Sequence, residues 1–291
     1  MTVASAKAGR PLPAATAARL PAGAYYLLAG PGLNSLNVWE VGPGRTMTQI
    51  THNRAGHGID ALAASESGIV VGDAGNGTDR LARWTRHGPS WLRHGQRGPL
   101  IAGSSPDIRG DGAIGYVTPP SGSGAHRDAN FTIWTQPSFT GRATAVYRQR
   151  RPLDGPVFGP RGQIAIEGWT GPRSDRKPTV LIYAGGQVAT LSTGVSAIPS
   201  QLAWGHRAPA LAVAFPGRRA ELLYTDGRRR PLPSGWQPLA WNPSGTQLLM
   251  QSATSLGIWS AATPGRVRMV GVITSGTQIL QAVWLSGQAP M

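Results

Sequence analysis

One short unit recurs along the chain and restricts the fold more than any other feature. Its clearest copy is "LAWNPSGTQLLM" (239–250), in which the apolar anchor Trp241 is followed by a tight polar turn and a second apolar run. Successive anchors lie 37 to 50 residues apart. A recurrent spacing of roughly this length indicates a chain built from similar structural units. The other anchors are Ala64, Ile108, Phe158, Trp204 and Trp284.

Each interval between anchors has room for four short strands. Trp241 is followed by "QLLMQS", "LGIWS" and "RVRMVGVI", and Phe158 by "QIAIEGW", "TVLIYAGG" and "QVATLS". The chain contains 40 Gly and 25 Pro, which supply turns between these runs. Amphipathic helix periodicity does not persist for more than two turns. Four strands per repeat of this length are typical of β-propeller blades, so we predict an all-β, six-bladed β-propeller of four-stranded antiparallel blades.

The two ends of the chain complement each other. Trp284 is followed by only seven residues, whereas "AYYLLAG" (24–30), "SLNVWEV" (35–41) and "TMTQIT" (46–51) form three apolar runs without an anchor. We therefore expect the N-terminal strands to close the last blade, which removes the free sheet edges of the ring. The predicted organisation is a disordered or extended tail over 1–23 and a propeller over 24–291. The predicted blades are approximately 281–291 plus 24–51, 58–97, 100–150, 154–194, 199–233 and 237–273.

The units "LAWNPSGTQLL" and "PVFGPRGQIAI" resemble the F-S-P-D-G-x-x-I/L-A-F motif of TolB-like and WD40-like six-bladed propellers. The resemblance extends from about residue 24 to the end. The aspartate of the motif is replaced by Ser244, Arg161 and Ala208 in different copies, and the Trp-Asp dipeptide of WD40 repeats is absent. The resemblance implies a binding platform, and no TolB partner is carried over.

The residues that precede each anchor are candidates for binding. In propellers like this, the inner strand of each blade begins at the mouth of the central channel. Positions three or four before each anchor are therefore expected to ring one mouth, and all six are polar. They would suit a bound ligand, and equally a channel filled only with water. The six residues are Asp60, Ser104, Asp154, Gln201, Gln237 and Gln281.

Basic loops are expected on the same face. The formal net charge is +15, and although arginine-rich codon usage contributes to it, such a field attracts anionic partners. The candidates in the loops between second and third strands are Arg127, Arg173, Arg176 and Arg218, with Trp236 as an exposed aromatic anchor. A merely solvated arginine rim is the alternative, because acidic residues lie in several of the same loops.

The sequence predicts no catalytic residue, no metal ligand and no cofactor. Cysteine is absent, the six histidines show no metal-ligand spacing, and 13 carboxylates are few for a metal cage. No G-x-S-x-G elbow occurs. Gly110, Gly112 and Gly115 match G-x-G-x-x-G, but they lie on a predicted strand-turn-strand without a helix to receive a pyrophosphate. We therefore do not expect an enzyme.

These observations favour a non-catalytic binding platform for a protein or an anionic ligand. A propeller hydrolase or lyase acting on a glycan or lactone is the alternative. A basic nucleic-acid binder is a third possibility, which the small number of exposed stacking aromatics disfavours. No apolar run is long enough to span a bilayer. Ala4-Ser5-Ala6 has the form of a signal-peptidase site, so a secreted or cell-envelope location after removal of an upstream signal and a cytoplasmic location both stay open.

Overall fold

The computed structural model describes residues 9–32, 35–52, 59–66, 68–73, 80–87, 90–94, 101–119, 130–170, 177–191 and 199–287. These residues form one short helix, α1 (Ala14–Arg19), one turn of 3-10 helix (Pro160–Gly162) and 25 β-strands. The protein is therefore all-β, as the turn-rich sequence predicts.

The strands are short and follow one another closely along the chain. The first twelve are β1 (Ala24–Gly30), β2 (Asn37–Val41), β3 (Met47–Gln49), β4 (Ile59–Ser65), β5 (Gly68–Asp73), β6 (Arg80–His87), β7 (Ser90–His94), β8 (Ile101–Ala102), β9 (Ser104–Ile108), β10 (Ile114–Thr118), β11 (Phe131–Gln136) and β12 (Thr144–Gln149). The others are β13 (Asp154–Phe158), β14 (Ile164–Thr170), β15 (Lys177–Ala184), β16 (Gln187–Leu191), β17 (Gln201–Ala203), β18 (Leu211–Ala214), β19 (Glu221–Leu223), β20 (Arg229–Pro231), β21 (Gln237–Trp241), β22 (Gln247–Gln251), β23 (Ser255–Ser260), β24 (Val267–Val272) and β25 (Gln278–Leu285).

These strands form six antiparallel sheets, which confirms the six-bladed propeller. In sheet order, blade 1 is β25-β1-β2-β3, blade 2 is β4-β5-β6-β7, and blade 3 is β9-β10-β11-β12. Blades 4, 5 and 6 are β13-β14-β15-β16, β17-β18-β19-β20 and β21-β22-β23-β24. The inner strands β25, β4, β9, β13, β17 and β21 each contact the next and close a ring around a central axis.

The ring closes within blade 1, where the two ends of the chain share a sheet. Strand β25 pairs antiparallel with β1, with Trp284 opposite Tyr25 and Gln281 opposite Leu28. The predicted closure by the N-terminal strands is confirmed.

The repeated unit of the sequence forms the inner strand and the turn that follows it. Phe158, Trp204, Trp241 and Trp284 are buried between blades. The indole N–H of Trp241 donates to the carbonyl of Ala203 in the preceding blade at 3.2 Å, so this anchor fastens one sheet to the next. Its ring also meets that of Trp259 edge-on, with 6.0 Å between centroids.

The turn after Trp241 shows why the unit needs its polar residues. The side-chain oxygen of Asn242 accepts hydrogen bonds from the backbone N–H groups of Thr246 at 2.9 Å and Gln247 at 3.0 Å. Gly245 has a φ of 70°, and its Cα lies against the backbone of Arg207, where a side chain would collide. The turn is therefore fixed both by its own hydrogen bonds and by the neighbouring blade.

The N-terminal segment differs from the prediction of a disordered or extended tail. Residues 14–19 are helical, and Leu12, Ala17 and Leu20 are buried. The Thr16 hydroxyl donates to the carbonyl of Val272 at 3.0 Å and accepts from its N–H at 3.1 Å. The helix thus covers the outer edge of blade 6, where β24 would otherwise expose unpaired backbone groups.

A second difference concerns residues 101–102, which the repeat spacing assigns to the third blade. As strand β8 they pair instead with β6 of blade 2, with Ala102 opposite Arg80. No helix among the described residues is long and apolar enough to cross a membrane.

Candidate functional site: the central channel

A cavity of about 790 Å³ lies along the propeller axis. All six inner strands contribute to its wall, and most of the wall is apolar, with Leu62, Val157, Leu239 and Val283 among the lining residues. Its size is within the range of ligand-binding cavities, which commonly combine an apolar wall with a few polar groups. The channel is more than twice as large as either of two other pockets, of about 300 Å³ each, that lie between blades 3 and 4.

The channel has two ends, which we name by the direction of the inner strands. The start face is the face on which the inner strands begin, and the end face is the face on which they end. Hydrogen bonds between neighbouring inner strands show this common direction: Ser105 contacts Asp154 near the two strand starts, and Asp107 contacts Phe158 near the two strand ends. The turns that follow the anchors therefore surround the end face.

The six residues of the predicted ring do not line one common cavity in the structure. All six lie on inner strands, but only Gln201 and Gln281 line the channel cavity. Ser104 and Asp154 line a separate pocket of about 300 Å³ on the start face, between blades 3 and 4. Asp60 and Gln237 are exposed and line neither of these two cavities.

Gln281 has a structural role in the channel wall. It lies in the middle of β25, and its side-chain oxygen accepts a hydrogen bond from the backbone N–H of Leu62 at 2.6 Å. This bond joins blade 1 to blade 2. This oxygen therefore already takes part in a hydrogen bond that stabilises the ring.

The predicted basic rim can be located only in part. Arg127, Arg173 and Arg176 lie outside the described residues. Arg218 is exposed in the turn between β18 and β19, on the start face. Trp236, predicted as an exposed aromatic anchor, is half-buried and packs against the core, with its ring over Gly257, and its role in binding stays a prediction.

The end face carries polar residues that were not selected from the sequence. Glu66, Arg109, His206, Arg207 and Asn242 line the channel cavity there. Each follows an anchor by one to three residues, so the anchor spacing that revealed the blades could also have found them. The predicted ring included only residues that precede the anchors.

His206 forms a bridge across one side of this mouth. Its Nε2 accepts a hydrogen bond from the backbone N–H of Gly110 at 2.5 Å. His206 follows the inner strand of blade 5 and Gly110 that of blade 3, so the bond passes over blade 4. Burial lowers the pKa of His206, and the positive charge of Arg109 lowers it further, against the opposing effect of Asp111. The neutral imidazole is the form that can accept this bond.

The two arginines beside this bridge differ in their partners. Arg109 forms a bidentate ion pair with Asp111, at 2.9 Å and 2.7 Å, and its guanidinium lies 5.6 Å from the centre of the Phe158 ring. The hydrogen bond from Arg109 lowers the pKa of Asp111 to about 2. Arg207 is exposed and has no ion pair with any residue that the structure describes. It is therefore available to an external anion.

Asp107 is an ionisable group in the channel wall. Its carboxylate accepts the backbone N–H of Phe158 at 2.6 Å, which joins blade 3 to blade 4. Burial raises the pKa of Asp107 to about 7, although hydrogen bonds from the N–H groups of Phe158 and Ile108 oppose the shift. Among the described residues, no group of three or more His, Asp or Glu side chains could hold a metal ion.

Comparison with known proteins gives the fold a context. No family model matches the chain, and no curated protein does. Similar solved structures include TolB from Acinetobacter baumannii, with a TM-score of 0.64 and 14% identity over 90% of this chain and 66% of that one. A chain of the nidogen/laminin complex has a TM-score of 0.60 and 17% identity over 91% of this chain and 99% of that one. Oligogalacturonate lyase in complex with manganese has a TM-score of 0.52 and 13% identity over 85% and 74%.

These similarities concern the fold. The resemblance to TolB-like propellers noted in the sequence is confirmed at the level of a six-bladed architecture. This chain spans about two thirds of the TolB chain. The same fold occurs in a lyase, so the architecture alone does not distinguish a binding protein from an enzyme.

Proposed function

We propose that the chain is a non-catalytic binding protein that takes an acidic segment of a partner protein into the end face of its channel. The observation that carries this proposal is the position of Arg207, an exposed cation without an ion pair among the described residues, at the rim of a cavity of about 790 Å³. A propeller fixes several loops around one mouth, which suits recognition by many small contacts.

The residues at this mouth differ in what they can contribute to binding. Arg207 supplies the charge for a carboxylate, whereas the side-chain amide of Asn242, which also lines the cavity, is already used by the hydrogen bonds of its own turn. The apolar wall below them accommodates an aliphatic or aromatic side chain next to the acidic one. Arg109 contributes less to binding, because its guanidinium is already paired with Asp111.

The basic rim predicted on the start face stays a second possible binding surface for the same class of partner. It consists of Arg127, Arg173, Arg176 and Arg218. The rim is predicted on the face opposite the end face, so substitutions can distinguish the two surfaces.

The experiment is affinity capture with the full chain as bait, from the lysate and culture medium of its native cells, with partners identified by mass spectrometry. One variant carries Arg207→Glu, and the other carries Arg173→Glu, Arg176→Glu and Arg218→Glu. If only Arg207→Glu abolishes capture of the protein, the partner binds at the end face. If only the triple variant abolishes capture, the partner binds at the predicted basic rim. Capture that survives both variants contradicts recognition of an acidic partner.

The alternative is a hydrolase or lyase that acts on a glycan or lactone. It is supported by the similarity between the fold of this chain and that of oligogalacturonate lyase. Release of reducing sugars or opened lactone from a substrate panel by the purified chain would establish that alternative. Binding to nucleic acid is the third possibility, for which the affinity must fall steeply as salt rises.

A further inference from the structure

The pocket of about 300 Å³ on the start face contains two carboxylates in a strongly basic protein. Asp154 begins β13, and Glu167 lies directly opposite it on β14 of the same blade. Opposite residues of an antiparallel pair project to the same side of the sheet. Both side chains therefore reach the one pocket, whose lining also includes Phe131 and Trp169.

The Asp154 carboxylate is held in place by its own surroundings. Its Oδ1 accepts the backbone N–H of Gly155 at 2.8 Å and the hydroxyl of Ser105 from the neighbouring blade. Ser105 has a φ of 48°, in the left-handed region that non-glycine residues rarely adopt. Both hydrogen bonds go to Oδ1, so Oδ2 is available to a ligand.

Glu167 has no such support. Its side chain packs along Gly155 and is largely buried at the pocket wall, yet no hydrogen bond or ion pair reaches its carboxylate from any described residue. Burial, together with the negative charge of Asp154, raises the pKa of Glu167 to about 8. A largely desolvated acidic group gains stability from a cationic partner, and Glu167 faces a pocket in which such a partner could sit.

The two described cations nearest in sequence to the pocket do not fill this role. Arg151, in the loop before β13, donates to the carbonyl of Trp169 at 3.3 Å instead. Lys177 begins β15, opposite Thr170, and is exposed. Neither of them contributes to the pKa of Glu167. Asp154 and Glu167 are therefore the two charged groups that face the pocket from the described residues.

From this geometry we infer that the start-face pocket binds a guanidinium or alkylammonium group between Asp154 and Glu167, with Phe131 and Trp169 as its aromatic wall. The two carboxylates supply the charge and accept the N–H donors of the cation. Aromatic rings in the same lining add cation–π attraction. The pocket is independent of the proposed channel function, because it lies on the opposite face and shares none of the end-face residues.

The test uses the full chain and a pair of probes of nearly equal shape, ethylguanidinium, which is charged, and N-ethylurea, which is neutral. Binding is followed by NMR shifts of the Gly155 amide and the Trp169 indole N–H. We expect ethylguanidinium to shift both signals and N-ethylurea to shift neither. Glu167→Gln is expected to weaken binding by about tenfold or more, because it removes a hydrogen bond to a charged group.

Three further measurements separate this site from a structural effect. Asp154→Asn must also weaken binding, whereas Asp226→Asn, an exposed carboxylate in the turn after β19, must leave it unchanged. Binding by the unsubstituted chain must strengthen from pH 6 to 9, because the cation needs Glu167 ionised, and this dependence must vanish in Glu167→Gln. Equal shifts with N-ethylurea, or full affinity in both pocket variants, would overturn the inference.

The source of the cation is identified with two larger probes. A Gly-Arg-Gly peptide that binds more tightly than ethylguanidinium indicates the arginine side chain of a partner protein. Agmatine that binds more tightly than the peptide indicates a free small cation. Either result supports the site, and failure of all three cations to bind contradicts it.

Discussion

The rings of Tyr25 and Trp284 lie with their centroids 5.0 Å apart and their planes inclined by 33°, although the two residues come from opposite ends of the chain. The indole N–H of Trp284 also donates to the carbonyl of Ala22 at 3.2 Å. Both residues belong to the core between blades 1 and 6. This contact lies where the ring closes, and we expect the stability of the propeller to depend on it.

Replacing Trp284 by alanine is expected to lower the free energy of unfolding by about 3–5 kcal/mol, because the change leaves a large cavity in a buried core. Urea denaturation followed by circular dichroism measures the effect. Met269→Ala serves as the control, since Met269 is 64% exposed on the outer strand β24. A loss no larger than that of the control would show that the ring does not depend on this closure.

The covered edge of blade 6 gives a second prediction. Thr16→Val keeps the shape of the side chain but removes both hydrogen bonds to Val272, and we expect a loss of about 1–2 kcal/mol. Thr48→Val, at an exposed position of strand β3, is the matched control and is expected to be nearly neutral. Hydrogen exchange at the Val272 amide should accelerate in the first variant only. Unchanged protection of that amide would mean that α1 does not seal the edge.

Two buried carboxyl groups predict how stability depends on pH. The pKa of Asp107 is raised to about 7 and that of Glu167 to about 8, so the folded chain retains protons that the unfolded chain releases near pH 4. The folded state therefore binds more protons between about pH 4 and 8, and the free energy of unfolding falls as pH rises through this window. Urea midpoints measured at intervals of pH test this.

The matched variants remove this dependence. Glu167→Gln and Asp107→Asn are each expected to flatten the fall in stability, and the amide oxygen that Asp107→Asn introduces can still accept the N–H of Phe158. Asp111→Asn must not flatten it, since the pKa of Asp111 is lowered to about 2 and its contribution is lost only in strong acid. A stability that rises between pH 4 and 8 would contradict the burial of both groups.

The bridge at the end face predicts a local change on acidification. The pKa of His206 is lowered, so the ring is neutral at pH 7 and becomes protonated only in mild acid, below its ordinary range. Protonated Nε2 cannot accept the N–H of Gly110, and we expect that amide to exchange faster as pH falls, after correction for intrinsic rates. The stability contributed by the bridge is lost in the same direction. In His206→Ala the Gly110 amide should exchange fast at every pH; protection equal to the parent chain would exclude the bridge.

The blades could be predicted because their signal is local. Trp241, the Asn242 turn and the apolar run after it are contiguous in sequence, and each copy carries enough of the pattern to place an inner strand. Helix α1 was missed because "AATAAR" is short, lacks a side-chain cap and resembles a flexible alanine-rich tail. It is held in place by hydrogen bonds to Val272, more than 250 residues away.

The site was harder to predict, because it depends on distances across the ring. The ring of six polar positions assumed that each inner strand begins at the same height. Strand β25 begins at Gln278, three residues before Gln281, which places Gln281 within the wall. The bond between His206 and Gly110 crosses a whole blade, and the pairing of Asp154 with Glu167 depends on a register shift within blade 4. These contacts could not be predicted from the spacing of residues in the sequence.

The pairing of β25 with β1 also governs the order in which the protein can be made. Three strands of blade 1 are synthesised first. The edge of β1 that pairs with β25 stays unpaired until the residues of β25 have been synthesised. Folding of blade 1 can then finish only after β25 has been translated, and slow translation prolongs the interval in which an unpaired strand can bind another copy. The pairing of β25 with β1 is therefore the step that removes the last unpaired edge of the ring.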